Sequence, residues 1–225
     1  MKILQELEQF INEFNQNNNE NFMIDSIRIE FQKQYKKEKL DCLGNWNKLQ
    51  KNSNILHKLK RRLSDDEITS VYQLENYNIY YYNKTNQIDK KYRKANMVIF
   101  GLMQYHKEPP PRELILKIIN ILKDISNIDL CLDMKYKPNL VKLHSMFDLK
   151  QYVEPISKKL TDTYYINQTN TLMIDKIVIY NKAIKNKLDS VLWRIEALIT
   201  IPNIKYLALP LNEFKQITDL IKEDL

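Results

Sequence analysis

Two glycines, Gly44 and Gly101, serve a chain of 225 residues, and this scarcity constrains the fold more than any other feature. Backbone N–H groups reach a phosphate closely only where no Cβ intervenes, so the count weighs against folds that need glycine-rich phosphate loops. What is left is a chain of ordinary helices and strands, and its hydrophobic periodicity separates the two.

Four segments alternate apolar and polar residues or carry β-branched runs: MIDSIRIEF (Met23–Phe31), NIDLCLDM (Asn127–Met134), KIVIYNK (Lys176–Lys182) and VLWRIEALI (Val191–Ile199). They read as strands, as do VYQLENYNIYYYNK (Val71–Lys84), MVIFGLM (Met97–Met103) and TYYIN (Thr163–Asn167). Helical spacing predicts helices over Met1–Phe14, Ile55–Leu63, Arg112–Asp124 after the triple proline Pro109–Pro111, and Asn212–Asp224. The Asn-rich run Asn15–Asn21 reads as a solvated loop. Strands outnumber helices without a regular βαβ alternation, which predicts an α+β fold with a central mixed or antiparallel sheet flanked by helices. One domain over residues 1–225 is expected, with an N-terminal helix and Asn-rich loop at 1–20 and a C-terminal helix at 203–225.

Charges sit inside the strands. Period-two geometry puts Arg194, Glu196 and Leu198 on one face, with Trp193, Ile195, Ala197 and Ile199 on the other. Asp129 and Asp133 likewise share a face. Burying such groups unpaired costs several kcal/mol each, in the range of about 2–7 for a polar group and more for a charge. They must be paired, solvated in a cleft or neutralised by a cation. Clustered carboxylate oxygens suit Mg²⁺ or Mn²⁺, and a tyrosine beside such an ion can act as a nucleophile. Equally, an Arg–Glu pair on a sheet face can be a plain ladder pair, with Tyr180 an amphipathic strand residue.

The net charge of +7 is unevenly spread. Between Lys33 and Arg62 ten basic side chains stand against Glu38 and Asp41. A cluster of this kind fits a polyanion such as nucleic acid, and equally a lysine-rich solvated face. Lys58, Lys60, Arg61 and Arg62 are the expected phosphate contacts. Tyr80, Tyr81 and Tyr82, beside Lys84 and Lys90–Lys94, offer rings on which single-stranded bases could stack, or else alternate between core and surface.

Cys42 and Cys131 can make neither a disulfide framework nor a four-ligand zinc site. No apolar run reaches the ~20 residues needed to span a bilayer, and no signal peptide is legible, so a cytoplasmic protein with no membrane partner is expected. His57, His106 and His144 stand alone in the sequence, without a His-hydrophobe-His pair.

The order of segments resembles the trans-acting rolling-circle replication initiators of plasmids and filamentous-phage-like elements. In that family a helix precedes a strand with two aspartates, followed by a Y-I-G-S-like segment, an R-I-Y-(D/N)-K segment and a W-R-(I/V)-E strand. NIDLCLD (Asn127–Asp133), YYINQTNT (Tyr164–Thr171), IVIYNK (Ile177–Lys182) and LWRIEAL (Leu192–Leu198) stand in those places. The resemblance covers most of Met23–Ile201. It implies an endonuclease that nicks one strand of an origin and becomes joined to the 5′ phosphate through tyrosine. Tyr180 would then be the nucleophile and Lys182 would stabilise phosphate charge. Asp129 and Glu196, with Asp25, would hold Mg²⁺ or Mn²⁺; Asp133 competes with Asp129 for this role, and Glu30 with Asp25. Arg194 would pair with a carboxylate or hold a DNA phosphate.

The implied partners are origin DNA, single-stranded or hairpin, a second copy of the chain, and a helicase. The chain departs from the family pattern at Asn167 and Gln168, in place of Gly and Ser, at Val178, in place of Arg, and at AIKNKL after Lys182. A nucleic-acid-binding module without the chemistry is the alternative expectation, and an interaction protein derived from the same fold is a third.

Overall fold

The computed structural model describes residues 2–32, 38–63, 66–84, 94–103, 109–123, 125–154, 157–201 and 204–222. The fold is α+β, as the periodicity predicts, and the strand pairs are antiparallel. Two compact units emerge: Met1–Gln5 with Ser26–Ser126, and Glu6–Asp25 with Asn127–Leu225.

In the first unit, β1 (Met23–Gln32, from Ser26 onward) pairs with β5 (Lys94–Phe100), which pairs with β4 (Ile79–Lys84). Beyond β4 come β3 (Ile68–Leu74) and the short β2 (Trp46–Lys48). The expected β-rich stretch Val71–Lys84 is a hairpin, turning through Glu75 at φ 46°. Gly44 lies beside this turn at φ 144°, where an added Cβ would stand 2.8 Å from Glu75 Oε1, so the turn admits no larger residue without displacement.

A helix, α2 (Asn54–Leu63), buries Leu56 and Leu59 against Ile68, Val71, Tyr80, Tyr82, Val98 and Phe100. Its spacing leaves Lys58, Arg61 and Arg62 exposed and Lys60 half-buried. The stacking role considered for β4 meets an obstacle here. Tyr80, Tyr81 and Tyr82 are all buried, because both faces of this inner strand are covered. Tyr80 and Tyr82 enter the core cluster, while Tyr81 stacks on Tyr72 at 4.7 Å and meets Trp46 edge-on. The accompanying Lys90–Arg93 lie outside the described residues.

In the second unit, five strands run in the order β6, β10, β9, β8, β7: β6 (Asn127–Met134), β10 (Trp193–Thr200), β9 (Ile174–Asn181), β8 (Leu160–Ile166) and β7 (Leu149–Val153). One face of these strands is apolar. Ile128, Leu130, Ile177, Ile179, Ile195 and Ala197 on it are wholly buried. The C-terminal helix (Ala208–Asp219) packs on β9 and β10 and buries Leu211, Phe214 and Ile217. Phe22 joins this core through Phe214 at 4.9 Å and Phe14 at 6.0 Å. The other face carries the polar residues described below.

The N-terminal helix α1 (Lys2–Asn18) continues through part of the Asn-rich run that reads as a loop. The side chains explain the extension: Asn18 Nδ2 donates to the Phe14 carbonyl, and Asn15 both donates to the Phe22 carbonyl and accepts from its N–H. These asparagines supply the hydrogen bonds that end a helix and fold the following turn back on it. The C-terminal helix begins four residues before the predicted Asn212, at Ala208.

Candidate functional site

The segments NIDLCLDM, IVIYNK and LWRIEAL are neighbours in the second unit. Register places Arg194 opposite Asp133 on one side and Tyr180 on the other. Glu196 stands between Cys131 and Val178, and Leu198 between Asp129 and Lys176. Because side chains alternate, these three rows share the face opposite the apolar core.

Arg194 is the hub, with its residue only 1% exposed. Its Nη1 donates to Asp25 Oδ1 at 2.8 Å, and its Nε and Nη2 together grip Asp133, the latter at 2.8 Å. Nη1 also lies 3.7 Å from Glu196 Oε1. Lys182 Nζ donates to Asp133 Oδ2 at 3.2 Å. The planar fork of arginine fits this double grip in a way that a lysine cannot reproduce. The guanidinium stays charged: burial pulls its pKa down, but the hydrogen bond to Asp133 and the surrounding negative groups lift it above the ordinary value.

Tyr180 closes the set. Its phenol donates to Glu196 Oε1 at 2.6 Å, while Lys185 Nζ, from the short helix after β9, lies 4.3 Å from the ring centroid. Burial, and next the Glu196 carboxylate, push the phenol well above its usual pKa. Lys182 is shifted the opposite way, lowered first by burial and then by Arg194. Tyr180 and Lys182 owe their positions to a change of structure between them. Asn181 ends β9, and its side chain accepts from the Ile184 N–H at 3.1 Å, capping a one-turn helix over Lys182–Asn186. Lys187 ends that turn in the left-handed region at φ 55°.

Tyr180, Lys182, Asp133, Glu196, Arg194 and Asp25 are therefore brought together. Asp129 is on the same face of β6, buried, in the row of Leu198. Glu30 is not in this set; it lies in the first unit, where Lys94 Nζ donates to it at 2.6 Å. The basic residues of α2 also belong to the first unit. There Arg62 lies 3.8 Å over the Phe100 ring, and Lys60 Nζ donates to the Asp66 carbonyl at 3.1 Å. Cys131, which alternation places on the same face as Asp129 and Asp133, stands opposite Glu196 on the neighbouring strand, its thiol pushed far up by burial. One member escaped the sequence reading. Lys185 was hidden because only the Asn181 cap turns it back over the Tyr180 ring.

A divalent ion was the expected neutraliser of these carboxylates, and the residues present do not fit one as they are arranged. Asp25, Asp133 and Glu196 converge on the Arg194 guanidinium, which takes the position a cation would need. Among the described residues no group of three or more His, Cys, Asp and Glu side chains is disposed to hold a metal ion.

No family model and no curated protein matches this chain. Among solved structures it is similar to that of a rolling circle replication initiator protein from Geobacillus stearothermophilus. That likeness has 13% sequence identity and a TM-score of 0.42, and covers 87% of this chain and 79% of that one. Among the described residues no helix is long and apolar enough to cross a membrane.

Proposed function

We propose that this chain is a replication initiation protein of a plasmid or phage-like element, which binds origin DNA and nicks one strand through Tyr180. The observation that carries the reading is the hydrogen bond from the Tyr180 phenol to Glu196, 2.6 Å long, set against the Arg194–Asp133–Lys182 cluster. It supplies a nucleophile, a proton acceptor and Arg194 on strands that fix them firmly, with a second cation, Lys182, on the one-turn helix that Asn181 caps. In the reaction, the phenol oxygen attacks phosphorus and its proton passes to Glu196. The bond from phosphorus to the 3′ oxygen breaks, leaving the 5′ phosphate esterified to tyrosine. Lys182, whose pKa burial lowers, donates the proton that the departing 3′ oxygen takes up. Arg194 balances the carboxylates, so charge neutralisation is assigned to side chains and no step runs through a metal. The exposed cations of α2, Lys58, Arg61 and Arg62, with Lys60, contact phosphates along the duplex. Assembly with a second copy and with a helicase belongs to the same reading.

A second reading has its own support. Tyr180 is 7% exposed and Arg194 is saturated by carboxylates, an arrangement that also serves a DNA-binding module without cleavage. Supercoiled plasmid carrying the cognate origin separates the two. Nicking predicts open circles with protein on the 5′ end in Mn²⁺ and in EDTA alike, and none with Tyr180→Phe. Cleavage only with Mn²⁺ would return a metal to the site. Binding without any adduct would leave the second reading. In the same assay, glutamine at Lys58, Lys60, Arg61 and Arg62 weakens binding evenly across sequences and flattens its salt dependence.

A further inference from the structure

Tyr180 is covered as well as paired. The residue is 7% exposed, its phenol proton is held by Glu196, and Lys185 Nζ lies 4.3 Å from the centroid of its ring. Lys185 reaches this place from the one-turn helix Lys182–Asn186, which is only lightly attached. Of the two apolar side chains in that helix, Ala183 packs inward and Ile184 is 68% exposed. Beyond it, Leu188 and Val191 are exposed too. Hydrogen bonds hold the turn instead. The Asn181 side chain accepts from the Ile184 N–H at 3.1 Å, Leu188 N–H donates to the Ala183 carbonyl at 3.0 Å, and Ala183 N–H donates to the Leu192 carbonyl at 2.9 Å. A surface segment fixed in this way, with little apolar area buried, opens far more readily than the sheet beneath it.

We propose that the turn after Lys182, latched by Asn181 and carrying Lys185, is a lid that keeps Tyr180 closed in the resting protein and opens before a strand is cut. The inference rests on the reading of Tyr180 as the nucleophile and adds the regulation of that site. Attack needs phosphorus within about 3–3.5 Å of the phenol oxygen, and a side chain 7% exposed is not presented to a DNA backbone. Something must move. Strands β9 and β10 are each hydrogen-bonded to a strand on both sides and stay fixed, whereas the turn stands outside the sheet. Lys182 is bound to Asp133 where the turn begins, so opening beyond it uncovers the tyrosine without removing the proton donor. Lys185 is exposed and charged, so an arriving phosphate competes with the ring for its ammonium group.

N-acetylimidazole, which acetylates accessible tyrosines, tests the lid on the full chain, with Tyr180 and the 60%-exposed Tyr206 quantified by peptide mass spectrometry. In the wild type Tyr180 is expected to react far more slowly than Tyr206. Lys185→Ala is expected to speed Tyr180 labelling about two- to fivefold, the worth of an exposed cation–π contact. Asn181→Ala is expected to speed it about fivefold, the effect of a lost cap on the opening equilibrium, and to quicken hydrogen exchange at the Leu188 amide as well. Asn181→Asp, which still caps, is expected to keep the protection, and a thermal melt of each variant identifies loss of fold. Tyr180 labelled as fast as Tyr206 in the wild type overturns the proposal. So does faster exchange at Leu188 with Tyr180 labelling unchanged. The nick is scored separately: the expected labelling without any adduct on DNA sinks the nicking alone, whereas an adduct with labelling indifferent to Lys185 and Asn181 sinks the lid alone.

Discussion

Two tyrosine-rich strands, one in each compact unit, look alike in sequence and end differently. IYYYNK in β4 and TYYI in β8 both place adjacent tyrosines in an extended segment. In β4 all three rings are buried, since the strand lies between β3 and β5 and a helix covers one face. In β8 both Tyr164 and Tyr165 stay half-exposed, next to the edge strand β7. The lesson is that ring chemistry is set by what covers the strand. A tyrosine run inside a covered sheet contributes apolar area and packing, while one near an open edge keeps part of its rings in solvent.

The largest effect expected lies in the second unit but outside its tyrosines. Arg194→Met keeps the volume of the side chain and withdraws the cation from buried Asp25 and from half-buried Asp133. A loss of about 3–5 kcal/mol is expected in urea unfolding, with partial recovery when Asp25→Asn and Asp133→Asn are added. A small loss for Arg194→Met alone would mean that water, and not Arg194, compensates these carboxylates.

Next in size is a direct contrast of the two tyrosine strands. Tyr82→Ala removes a ring from the core cluster and should cost about 3 kcal/mol, as large aromatic truncations in a core do. Tyr165→Leu should stay within about 1 kcal/mol of the wild type in the same denaturant titration. Equal losses would dissolve the distinction between covered and open strands.

The smallest effect is a titration. Tyr180 has a folded pKa above the unfolded value near 10. The unfolded chain therefore releases this proton first, and its contribution to stability is whole below about pH 10 and declines as pH rises toward the folded value. Thermal melts between neutral and strongly alkaline pH should show that decline, and Tyr180→Phe should lessen it. At neutral pH the same substitution removes one hydrogen bond to a carboxylate, worth about 1–3 kcal/mol. An alkaline decline equally steep in the phenylalanine variant would assign it to other groups.

Local pattern carried much of the fold. The strand NIDLCLDM runs from Asn127 to Met134 as its alternation demands, and the helix after Pro111 begins at Arg112 as predicted. Elements held by single side chains were harder to read. The turn over Lys182–Asn186 depends on the Asn181 cap, and the short helix at Leu140–Met146 on Asn139, whose side chain accepts from the Val141 N–H. Asparagine is common in this chain, so a cap is not visible among so many.

The sequence by itself determined which residues share a strand face, because alternation is a property of one extended backbone and needs no partner. It therefore determined that Arg194 and Glu196 point together, as do Asp129 and Asp133. Which of these groups meet depended on strand order and register, which bring β6 and β9 to opposite sides of β10 across residues far apart in the chain. Tertiary structure alone decided that Asp25 and Asp133 converge on Arg194, that Tyr180 finds Glu196, and that Tyr82 is closed while Tyr165 stays open. The physical reason is that neutralisation and burial are pairwise quantities: a buried charge is tolerable only beside its partner, and a ring is covered only by what packs upon it.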